Sequence, residues 1–98
     1  MGYLEDLQKA ILNMHGCEAK HAETVSVHEV FRGETVWQGE VEVFDLIGHA
    51  KAERCYAWAH KTDNGKRYVA VLELPPVNSP ETAVRAAIMD EIRNARKS

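Results

Sequence analysis

Ninety-eight residues, 45% apolar and 28% charged, describe one globular domain spanning residues 1–98 and leave no room for a disordered or low-complexity chain. No apolar run approaches the roughly 18 residues a membrane span needs. The acidic start, Met1-Gly2-Tyr3-Leu4-Glu5-Asp6-Leu7, lacks the basic segment of a signal peptide, so a cytoplasmic location is expected. The net charge of −3 is unevenly placed: residues 1–84 hold 8 Lys/Arg against 13 Asp/Glu, while the last fourteen hold 4 against 2. An acidic body argues against broad binding to phosphate backbones, and the basic end suits a helix C-terminus. Cys17 and Cys55, the only cysteines, are expected to be free thiols in that compartment.

In chain order, Tyr3, Leu4, Leu7, Ala10, Ile11 and Met14 fall on one helical stripe, and Gly16 suits a left-handed cap, so a helix is expected over about residues 2–15. From Glu18 to Leu74 the texture becomes Val-, Thr- and aromatic-rich, with recurring glycines. Strands are expected at Thr24–Phe31, Thr35–Leu46, Lys51–Lys61 and Arg67–Leu74. Val30 breaks the alternation begun by Val25 and Val27, which suggests a bulge near His28–Glu29; Gly39 suggests a second bend. Arg32-Gly33-Glu34, Gly48-His49 and Thr62-Asp63-Asn64-Gly65-Lys66 read as turns. Ser79-Pro80-Glu81 opens a second helix with an N-cap, a first-position proline and an acid opposing the dipole. Its inner stripe reads Val84, Ala87, Ile88, Glu91, Ile92 and Ala95.

The order is therefore α+β: helix, four-stranded antiparallel meander, helix, with a curved sheet and both helices on one face. Both sheet faces nevertheless carry apolar residues: Tyr68, Ala70, Leu72 and Leu74 oppose Val69 and Val71, and Val41 and Val43 oppose Phe44 and Leu46. The uncovered face then needs a second cover. A second copy of the chain ranks first, as a two-fold dimer; sheet curvature and a small-molecule ligand follow.

The most informative stretch is Arg54–Lys61. Alternation puts Arg54, Tyr56, Trp58 and His60 on one face and Cys55, Ala57 and Ala59 on the other. The first set is the candidate ligand or interface surface; the small set suits close helix packing. His49, in a glycine-flanked loop, and Glu42, in a carboxylate run with Glu40 and Asp45, are weaker candidates for acid–base work, which needs a pocket and an orienting partner. His15-x-Cys17-x3-His21 has three potential ligands but no zinc-site spacing, so no metal and no cofactor are expected. Helix–strands–helix order invites comparison with double-stranded-RNA-binding domains, but the last helix opens on Ser79-Pro80-Glu81-Thr82 where those need basic residues.

Three segments, His15-Gly16-Cys17-Glu18-Ala19, Gly33 through Leu46 and Cys55-Tyr56-Ala57-Trp58, lie within a span of about residues 15–92 that resembles small uncharacterised bacterial proteins of the kind carried on mobile integron gene cassettes. The resemblance implies a bacterial accessory protein that often self-associates, and it carries no catalytic residues. The expected function is a non-catalytic, self-associating protein that binds a partner or small ligand through the aromatic sheet face. The alternative is a small enzyme using histidine and carboxylate groups in a pocket beside the sheet.

Overall fold

The computed structural model describes residues 2–63 and 65–96. The elements are α1 (Tyr3–His15), β1 (Glu18–Phe31), β2 (Glu34–Ile47), β3 (Arg54–Thr62), β4 (Gly65–Leu72) and α2 (Pro80–Arg96). The strands form one open antiparallel sheet in the order β1-β2-β3-β4. None of the described helices is long and apolar enough to cross a membrane.

The helix ends follow their local chemistry. Gly16 closes α1 at φ 70°, its N–H donating to the Leu12 carbonyl at 2.9 Å. Ser79 caps α2: its Oγ accepts the Thr82 N–H at 3.2 Å, while Thr82 Oγ1 accepts the Ser79 N–H at 3.0 Å, a reciprocal arrangement that satisfies two end amides. The β1–β2 turn is Arg32-Gly33, both at positive φ, between the paired residues Phe31 and Glu34. The β3–β4 turn closes on the Thr62–Gly65 pair; Asn64, expected to shape it, lies outside the described residues.

Two strand expectations change. β1 starts at Glu18, six residues before the expected Thr24, although Glu18 to Glu23 has weak strand propensity; pairing with Asp45–Ile47 and packing of Ala19 beneath α1 override it. Lys51–Glu53 is loop, because the His49 ring gathers that segment into a turn. The irregularity expected near His28–Glu29 is found at Glu29–Val30, and a further one was not expected. One bulge leaves Ala22 unpaired in β1; the other leaves Val36 unpaired opposite Glu29–Val30. Gly39 pairs regularly with Val27 and bends nothing; it leaves room, since a Cβ there would lie 3.1 Å from the Trp37 ring.

The two helices lie on opposite faces of the sheet, which corrects the expectation that both cover one. Leu7 and Ile11 of α1 pack with Cys17, Phe44, Cys55 and Ala57. Ala83 and Val84 of α2 pack with Val27, Val41, Val43, Tyr56 and Trp58. The cause is the two-residue period of β3, which sends Cys55 and Ala57 to one side and Tyr56 and Trp58 to the other. A single chain therefore covers both apolar faces. On the α2 side, Arg85 Nε donates to the Glu29 carboxylate at 2.5 Å and ties the helix to β1.

Cys17 and Cys55 are buried free thiols in the α1 core. Burial, with Cys17 beside it, pushes the Cys55 thiol up from 9.0 to about 12. The folded state thus keeps a proton that the unfolded chain releases above pH 9, so this contribution to stability is intact below pH 9 and falls as pH rises toward 12. Urea midpoints should drop between pH 8 and pH 10, and Cys55→Ala should flatten the drop; an equally steep drop in that variant would remove Cys55 as the cause.

Candidate functional site

The sheet is continuous at one end and divided at the other. β2 and β3 pair only from Glu42 to Asp45 against Arg54 to Ala57. Beyond that, Trp58–Thr62 has β4 alone for a neighbour and Thr35–Val41 has β1 alone. The notch between the two hairpins is filled from both sides. From the α1 side comes Tyr3, whose hydroxyl oxygen accepts the Ala59 N–H at 3.0 Å, an amide that meets no β2 residue. Burial pushes the Tyr3 phenol up; the Ala59 N–H acts the other way, and the carboxylates of Glu42 and Glu40 reinforce the rise.

From the α2 side come two indoles. Trp37 and Trp58 meet edge to face with ring centroids 5.6 Å apart. Trp37 lies across Gly39 on the same strand face, and the missing Cβ there allows it. Between these rings and α2 is a cavity of about 190 Å³, lined by Trp37, Trp58, His60, Val69, Val84, Ala87, Ile88 and Glu91. The helical lining residues follow the i, i+3, i+4, i+7 stripe, so the cavity runs about 10 Å along α2, from buried Val84 to half-exposed Glu91. Its polar end is Glu91 with His60 at 3.9 Å and Arg67 at 4.0 Å.

Of the four residues expected on the aromatic face, two line this cavity. Trp58 is 3% exposed and forms its wall, and His60 stands at its polar end. Tyr56 is core under α2; its hydroxyl donates to the Glu73 carboxylate, and burial followed by that hydrogen bond pushes its phenol up. Arg54 is at the far end of β3, exposed and 3.4 Å from Asp45. His49 shapes its own loop, where its Nδ1 accepts the N–H groups of Lys51 and Ala52 at 3.1 and 2.9 Å. At about 3.3 Å per strand residue, β3 alone puts about 20 Å between Arg54 and His60, and His49 precedes Arg54, so the two histidines share no pocket.

Glu42 is set apart from Glu40 and Asp45, which are exposed. It is 6% exposed on a central strand. Its Oε1 lies 2.9 Å from His21 Nε2 and accepts the Thr24 hydroxyl. Three positions apart on a regular strand, His21 and Thr24 would face opposite ways; the bulge at Ala22 turns both toward Glu42. The buried carboxylate is thereby satisfied, and it is not among the residues lining the cavity beneath α2. His15 bonds the Ala70 carbonyl at 3.0 Å, away from His21, and among the described residues no group of three His, Cys, Asp or Glu is placed to hold a metal ion.

Sequence reasoning missed Trp37 and the role of Glu91. Both left a signal: a glycine two positions from an indole on one strand face, and a carboxylate on the apolar stripe of α2. Ile92, placed on the same stripe, is instead 45% exposed, and the Ala95 side chain lies outside those described. No protein-family profile, curated protein or solved structure matches this chain.

Proposed function

We infer that this is a non-catalytic protein that holds a small ligand between the aromatic face of its sheet and α2. The observation that carries the reading is the cavity of about 190 Å³ walled by both tryptophans of the chain. An apolar cavity of about 150 Å³ accepts benzene, so this one suits a single ring with a short substituent; a nucleotide or larger cofactor needs several hundred Å³. Its walls converge on a few polar groups at one end, the pattern of a ligand site. Trp37 and Trp58 being the only tryptophans, emission excited in the indoles alone reports on the cavity walls. The expected result is a saturable change in that emission with 2-phenylethanol in the millimolar range, lost in Ala87→Leu, whose larger side chain fills the space. No change up to about 10 mM with this alcohol or with its charged analogues, a generous limit for ligands of this size, would contradict the reading.

Self-association belongs to the same reading, with its support moved. The sheet faces are covered from within, but the β1–β2 hairpin ends in an apolar tip. Val30, Phe31 and Val36 are exposed, Phe31 at 62%, with the Arg32 guanidinium 5.2 Å over its ring. Self-association is also what the resemblance over residues 15–92 implies. Light scattering at low micromolar concentration should give twice the 11.0 kDa of one chain, and Phe31→Ser should lower it. A strict 11.0 kDa species for the unaltered chain removes self-association and leaves the ligand cavity standing.

A further inference from the structure

We propose that the ligand class is a small organic ammonium ion: one ring or a short alkyl body carrying a protonated or quaternary amine. The inference rests on the cavity reading above and adds the charge of the ligand. Three features point the same way. The indoles of Trp37 and Trp58 wall the body of the cavity and suit an apolar ring, which leaves the ligand's charged group for the polar end. Glu91 is the one acidic residue among the lining residues, and no lysine or arginine is among them. Glu91 also keeps its acceptor capacity. His60 and Arg67 stand 3.9 and 4.0 Å from its Oε1, beyond hydrogen-bond length, so an ammonium N–H can approach closer than either.

The geometry also orders the ligand. Val84, Ala87, Ile88 and Glu91 lie along about 10 Å of α2, with the apolar residues inward and the carboxylate outward. A ring seated against Trp58 and Ile88 leaves a two-carbon linker pointing at Glu91. An anionic ligand of the same length would bring its carboxylate against Glu91, and an alcohol would forgo the charge.

Three probes that share a phenyl ring and a two-carbon linker separate the possibilities: 2-phenylethylammonium, 2-phenylethanol and 3-phenylpropionate, each titrated against the full chain by tryptophan emission and by calorimetry at low salt. The ammonium should bind roughly tenfold tighter than the alcohol, the gain of a charge-assisted hydrogen bond at a half-exposed site, and the carboxylate weakest. Added salt should shrink the difference. Glu91→Gln, at a half-exposed position that circular dichroism can check for retained fold, should reduce the ammonium-over-alcohol preference to within about twofold. Equal or tighter binding of the alcohol, or a preference that survives in Glu91→Gln, overturns the ammonium inference while the cavity reading stands. If none of the three probes binds, the cavity reading falls and this inference with it.

Discussion

Replacing Trp58 by alanine is expected to destabilise the protein by about 3–5 kcal/mol, measured as a shift in urea unfolding. The side chain is 3% exposed and packs in the cluster formed by α2, Val41, Val43 and Tyr56. Truncation removes both its transfer free energy and the edge-to-face contact with Trp37, and it enlarges a cavity the surroundings already leave unfilled. Against a total stability of about 5–15 kcal/mol, that is at least a fifth and at most the whole. The same variant should lose the binding seen in the intact cavity, but loss of binding alone would not separate a contact from a collapse. Trp37→Phe provides the separation: Trp37 is half-buried, and its truncation to a smaller ring should cost less stability while still opening the cavity wall. A Trp58→Ala protein as stable as the parent would show that the indole is an outward surface, not a wall under α2.

Leu7→Ala should cost about 2–5 kcal/mol for the same physical reason on the other face. Leu7 is fully buried against Phe44, Cys55 and Ala57. Its effect on ligand affinity should be nil as long as the chain is folded, because the sheet stands between α1 and the cavity. The two faces also make a stricter test. Ile11→Val under α1 and Ile88→Val under α2 belong to separate clusters, so their effects should add to within about 0.5 kcal/mol. Helices sharing one face would put such residues in contact and produce a coupling outside that margin.

Much of the fold is legible in the sequence. Gly16 as a cap, Ser79 as another, Arg32-Gly33 as a turn and the antiparallel meander all follow from local chemistry that tertiary packing does not override. The face assignment of β3 is equally legible, because a two-residue period needs no knowledge of neighbours. What covers each face is not. Periodicity sorts Cys55 from Tyr56 but does not say which helix each meets, and a shortage of cover inferred from one helix-bearing face leads to a second copy where α2 suffices. The site is half legible. Trp58 and His60 lie on one strand and can be read from it; Trp37, Tyr3 and Glu91 reach the notch from other elements, and only the divergence of β2 from β3 brings them together. The Glu42–His21–Thr24 cluster is hidden because a bulge at Ala22 changes the parity of β1, and nothing in Lys20-His21-Ala22-Glu23 signals one.

The most direct measurement is a two-dimensional nitrogen–proton spectrum of the labelled protein titrated with 2-phenylethylammonium. The chain has two indole N–H groups, on Trp37 and Trp58, and both rings wall the cavity. Both indole resonances should shift and saturate together with the backbone amides of His60, Ala87 and Ile88, while those of Leu7, Ile11 and Phe44 beneath α1 stay in place. Unmoved indole signals, or saturating shifts centred on the α1 face, would contradict a ligand site between the aromatic face and α2.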